Sequence, residues 1–148
     1  MASPDPSYAI QMAVSAALMA SSDMIAAFGG TPRVWDRVPA DSASGQAVFP
    51  YCTIGEDQVV PHINQNTDCS EVFAKVEVWS RAANKGEVKL IAGAVRAALD
   101  RDIGLAGGHV IVTHAAHQLV FRREPDGLTE SAIVTIRYQT QALSLTAA

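Results

Sequence analysis

Apolar residues recur at Ile10, Val14, Leu18, Ile25 and Phe28, with Ala17 and Ser21 in the same stripe. This spacing predicts a helix from about Pro6 to Phe28. Asp5 is placed to cap its start, and Pro6 suits the first helical position, where its missing N–H costs nothing. Gly29 and Gly30 end it, because glycine tolerates the left-handed conformation that commonly follows a helix. Arg33 to Pro39 reads as a short extended piece, and Ala40 to Ala47 as a small, polar loop.

Beyond that loop the period changes to two. Phe49 to Gly55 is a strand, with Pro50 expected at its start or on an edge. Glu56 to Asp68 mixes polar residues with Val59, Val60 and Ile63, and reads as a long loop or an extended hairpin arm. Glu71 to Ser80 alternates most cleanly: Val72, Ala74, Val76 and Val78 share one face, and Phe73, Lys75, Glu77 and Trp79 the other. The first set is expected to meet the core. A second helix runs from about Lys85 to Asp100, with Val88, Ile91, Val95, Ala98 and Leu99 as its buried stripe. Asn84 is a candidate cap and Glu87 its partner in a capping box. His109 to Arg123 and Thr129 to Ala142 are two further strands, joined by the turn signal Glu124-Pro-Asp-Gly127.

Helix, strands, helix, hairpin without internal repeat predicts a single α+β domain over residues 1–148. Its simplest architecture is an antiparallel sheet of about four strands with two helices packed on one face. The other sheet face then carries Phe73, Trp79, Arg137 and further polar or aromatic groups. A mixed face of that kind suits contact with a neighbouring subunit. The candidate subunit-interface residues are Trp79, Arg81, Phe73 and Arg137, with Val59 and Ile63 on the 56–68 arm, since Trp and Arg are enriched where binding energy concentrates. Trp35 is assigned to core packing.

Composition narrows the function. A chain of 148 residues buries roughly 70% of its unfolded surface and needs no disulfide or metal to hold a core. Half-apolar composition with 18% charged residues argues against disorder. The net charge is −4, and Arg122-Arg123 is the only adjacent basic pair, so gripping phosphates is not expected to be the main task. The N-terminal stretch lacks a basic flank and is interrupted by Gln11, Ser15 and Ser21-Ser22-Asp23; it reads as neither a signal peptide nor a membrane span. Cys52 and Cys69 read as free thiols.

Catalytic patterns are sparse. Neither a Gly-x-Ser-x-Gly elbow nor a phosphate-binding Gly-x-x-x-x-Gly-Lys loop occurs. Gly104, Gly107 and Gly108 precede a strand and read as a turn. His114 and His117, three apart on a strand, should point to opposite faces and so cannot share one ion. Cys52, Cys69 and His62 match no zinc spacing. Glu56-Asp57 and Asp100 with Asp102 read as solvated turn or cap residues. No catalytic, cofactor or metal residue is assigned.

Several short pieces, in order, resemble a known family: Arg33-Val-Trp-Asp36 with Val38-Pro39, Phe49-Pro50-Tyr51 with Ile54-Gly55, Val76-Glu-Val-Trp-Ser-Arg81, the helix end Val95-Arg-Ala-Ala-Leu99, and Asp126-Gly127. From about Ala9 to Ala142 the chain resembles the tail-terminator (tail-completion, head–tail joining) proteins of long-tailed phages and gene transfer agents. The resemblance implies a non-enzymatic virion subunit without cofactors. Such proteins form a ring, commonly a hexamer, that caps the head-proximal end of the tail tube and presents a surface to the head connector. The implied partners are further copies of the chain, the tail-tube protein and a head-side connector or stopper protein, with DNA only in passage and no membrane. The implied location is the head–tail junction of a phage-like particle, reached from the host cytoplasm. Pro50, Tyr51, Gly55 and Trp79 are signature positions for fold or interface, while 56–68 matches no family pattern. A head-completion adaptor of the same particle is the nearest alternative. A small enzyme or ligand-binding domain would need a pocket of convergent polar groups.

Overall fold

The computed structural model describes residues 5–36, 48–63 and 68–143, without the side chain of Ile63. The expected loop at 40–47 lies outside the described residues. The elements are α1 (Ser7–Ala20), α2 (Ser22–Phe28), β1 (Val34–Trp35), β2 (Tyr51–Ile54), β3 (Gln58–Ile63), β4 (Asp68–Ser80), α3 (Gly86–Leu99), β5 (His109–Arg123) and β6 (Glu130–Ala142). The fold class is α+β, as the patterning predicts.

The six strands form one sheet in the order β1-β2-β4-β6-β5, with β3 also on β4. β2 and β3 lie end to end along one edge of β4: β2 pairs with Val76–Trp79 and β3 with Asp68–Phe73. The sheet therefore has more strands than the four expected, and it is mixed, because β1 runs parallel to β2. The arm at 56–68 supplies β3, the hairpin alternative of the two.

Alternation sets the core. Val72, Ala74, Val76 and Val78 of β4, with Ala132, Val134, Ile136 and Tyr138 of β6, are buried. They meet Ile10, Val14 and Leu18 of α1 and Val88, Ile91, Val95 and Leu99 of α3. The Tyr138 hydroxyl donates to the carbonyl of Leu99, which fixes the end of α3 over the sheet. Burial of this phenol, the largest influence, raises its pKa, with the Asp100 charge adding to the rise. Cys52, also buried, has its thiol pushed up to about 12 by burial. Both cysteines are free.

The first helix departs from the prediction. It breaks at Ser21, whose backbone is extended and whose hydroxyl accepts the N–H of Met24, so that a second helix starts there. The two pieces are bent by 62°. The bend rotates the stripe: Met24 is fully buried, while Ile25, expected inside, is 43% exposed. Gly29 closes α2 with a φ of 68°. Asp5 accepts the backbone N–H of Ser7, but Pro6 occupies the cap position rather than the first turn. At α3, Asn84 accepts the N–H of Gly86, whereas Glu87 accepts the Ser80 hydroxyl and does not complete a capping box with Asn84. Trp35, assigned to the core, lies on the two-residue strand β1 and is 38% exposed.

The sheet's long margins are both interrupted. Gly55 donates to the carbonyl of Lys75, so the odd residues of β4 turn their backbone groups toward β2 and β3. Pro61, opposite Ser70, therefore faces outward, where it breaks no bond within the sheet. On β5 the register slips between Ile111 and Thr113 and again between Ala116 and Gln118, leaving Val112 and His117 as bulges.

Candidate assembly surface

The helices cover one sheet face only. The opposite face is built from Glu71, Phe73, Lys75, Glu77 and Trp79 of β4, with Ser131, Ile133, Thr135, Arg137 and Gln139 beside them on β6. The five β4 side chains are half-buried without any helix above them.

One end of this face is an aromatic cluster. Trp79 stacks on Tyr51 with ring centroids 6.3 Å apart, and Tyr51 lies 5.0 Å from Phe49. The indole N–H of Trp79 donates to Thr53 Oγ1 at 3.2 Å. The Arg81 guanidinium sits 4.3 Å over the Phe49 ring, donates to Thr129 Oγ1 and pairs with Asp126 at 3.9 Å. Burial raises the Tyr51 pKa and the positive charge of Arg81 opposes the rise. Asp126 anchors the β5–β6 turn by accepting the backbone N–H groups of Leu128 and Thr129. These bonds hold its carboxyl below the usual range.

The other end is ionic. Arg137 donates to Glu71 at 3.1 Å, and His62 Nε2 lies 3.8 Å from the same carboxylate oxygen. The Arg137 hydrogen bond is the main reason that the Glu71 carboxyl is held below its ordinary range, and the same bond raises Arg137. The His117 ring meets Phe73 edge-on at 5.2 Å.

Of the six interface candidates, Trp79, Phe73 and Arg137 share this face, at its two ends, and Arg81 joins the aromatic end. Val59 does not belong there: it pairs with Val72 and packs against the core, because its parity on β3 turns it to the helix side. Ile63 pairs with Asp68 at the end of β3, and its side chain lies outside the described residues. His114 bonds to Asp100 at 2.9 Å while His117 meets Phe73, so the two imidazoles have separate partners. His62 and Cys69 are cross-strand neighbours, whereas Cys52 sits in the core on β2. Among the described residues no three His, Cys, Asp or Glu side chains are grouped to hold a metal ion. A hollow of about 440 Å³ lies between α2 and α3, lined mainly by Ala26, Ala27, Gly93, Ala94 and Ala97, with Asp23 and Lys89 as its charged groups.

The family model for tail completion protein gp17 matches residues 12–141, most of the chain. This protein belongs to the tail completion protein gp17 family. The tail completion fold recurs in solved structures. A chain of the virion of a native gene transfer agent particle superposes with a TM-score of 0.81 at 24% identity, over 94% of this chain and 99% of that one. The gp17 protein of bacteriophage SPP1 gives 0.52 at 19% identity, over 96% and 94%. No curated protein sequence matches the chain.

Sequence reasoning missed one set of residues on this tail completion protein. Tyr8, Met12 and Met19 of α1 are 71%, 53% and 40% exposed, on the side turned away from the core. The signal was present in the sequence: α1 contains no charged residue.

Proposed function

We propose that this chain is a structural, non-enzymatic subunit of a phage-like particle, a single domain over residues 1–148. Copies form a ring, a hexamer by family resemblance, that caps the head-proximal end of the tail tube and joins it to the head-side connector. DNA crosses the opening only in passage. The family match over residues 12–141 carries this reading. The uncovered sheet face supports it, because a ring needs two different, complementary patches on each copy. Trp79, Arg81, Phe73 and Arg137 form one such patch in the proposal.

Light scattering and negative-stain microscopy of the purified chain, alone and with tail-tube protein, test the proposal. Annular particles that bind tube ends are the expected result. A strict monomer at high concentration under both conditions sinks it. Cross-linking to portal-side protein in place of tube protein would reassign the chain as a head-completion adaptor.

A further inference from the structure

The two ladders that flank β4 finish together. Tyr51 pairs with Trp79 on one side and Glu130 with Ser80 on the other. Just beyond those pairs stands Arg81. The face of its guanidinium lies 4.3 Å over the ring of Phe49, ahead of β2. Its edge turns the other way, where Nε donates to Thr129 Oγ1 at 3.2 Å and the fork reaches Asp126 at 3.9 Å. One side chain therefore bridges two segments that lead into β2 and β6, the strands on opposite sides of β4. The contacts continue from both. Phe49 meets Tyr51, and Tyr51 stacks on Trp79. Asp126 accepts the N–H groups of Leu128 and Thr129, and so sets the backbone of Leu128, whose side chain is 68% exposed.

We infer that Arg81 is a positioning residue, a clasp that holds the β5–β6 turn and the aromatic end of the uncovered face as one contact unit. The clasp is a property of the folded chain, and its use as a contact unit rests on the ring reading. A guanidinium is planar, so it can stack by its face and donate by its edge at the same time, whereas a lysine ammonium can do only one of the two. The pair with Asp126 is long and exposed on both sides, and such pairs add little to stability. What Arg81 adds is a fixed relation between two segments. Its face and edge are both engaged within the chain. Its contribution to binding therefore comes through the groups it places, Leu128 on the turn and the rings beside it. A surface held in its bound shape before the encounter loses less conformational freedom on binding than one that must first be ordered.

Reading each end from the other tests the inference. Asp126→Asn alters the turn end of the clasp and keeps an oxygen for the turn amides. Its effect is read at Trp79, in a Trp35→Phe background where Trp79 is the only tryptophan. Acrylamide quenching of Trp79 should rise about twofold. Arg81→Lys and Arg81→Ala are read by hydrogen exchange over residues 124–130, which should run about fivefold faster in both, since lysine keeps the charge and loses the bridge. The double variant of Arg81→Lys with Asp126→Asn should raise quenching no further than the stronger single one, because both cut the same link. Circular dichroism checks that each variant folds. Unchanged Trp79 quenching in Asp126→Asn, unchanged turn exchange in Arg81→Ala, or additive effects in the double variant overturn the clasp. Light scattering of Arg81→Lys should show self-association about threefold weaker than the parent. Parent-strength assembly from a chain whose turn has loosened overturns the contact unit and leaves the ring reading standing. A parent chain that never self-associates removes the ring reading and the contact role together, while exchange and quenching still decide the clasp.

Discussion

The two faces of β4 come from alternate residues of one strand, yet they are held by different forces. Val72, Ala74, Val76 and Val78 are buried under α1 and α3, where apolar burial and close packing stabilise the fold. Phe73, Lys75, Glu77 and Trp79 have no helix above them, and the groups around them find partners on the same face: Trp79 on Tyr51 and Thr53, Glu71 on Arg137. The second face thus carries ring and polar contacts of its own, and it differs from a core that lacks its lid. Substitutions on the first face should act on folding, and those on the second on association.

Leu18→Ala, on the covered side, should cost about 2–5 kcal/mol by chemical denaturation, because it opens a cavity between α1 and the sheet. Tyr138→Phe should cost about 1–2 kcal/mol by removing its hydrogen bond to the Leu99 carbonyl, which keeps the N–H of Arg101. Trp79→Ala should cost about 1–2 kcal/mol, from one aromatic pair and one hydrogen bond, and should reduce assembly far more than stability. A loss above 4 kcal/mol there would place Trp79 in the core and erase the contrast between the faces. Glu71→Gln should have the smallest effect. The depressed carboxyl pKa means that its support is present above the ordinary carboxylate range and fades as pH falls through the folded value. Parent and variant melting temperatures should therefore differ slightly at pH 7 and converge in acid, once Glu71 is protonated in the folded chain; a gap that widens in acid would contradict the Arg137 pairing.

Periodicity made the β4 faces, α3 and the β5–β6 hairpin legible, because each depends on local alternation or turn chemistry. The break at Ser21 was less so. Ser21-Ser22-Asp23 reads equally as helix interior or helix start, and tertiary packing of Met24 decided between them. The fate of Val59 was hidden for a related reason, since its face depends on register against β4, which a strand's own sequence does not specify when both its sides are mixed. The place of Trp79 and Arg137 on the uncovered face was legible because a large aromatic or a charge interrupts the apolar alternation. The buried stripe of α1, Ile10, Val14, Ala17 and Leu18, was also legible, while the lack of charge on its other side passed unread.

The interrupted margins of the sheet have a consequence for how such a protein survives before it is used. An unbroken strand border would invite identical copies to zip together into fibrils. On β3, Pro61 offers no amide proton to an incoming chain, and on β5 the kinks at Val112 and His117 throw a prospective partner out of step. Backbone templating is blunted at both borders, so side-chain complementarity is left to decide which encounters last.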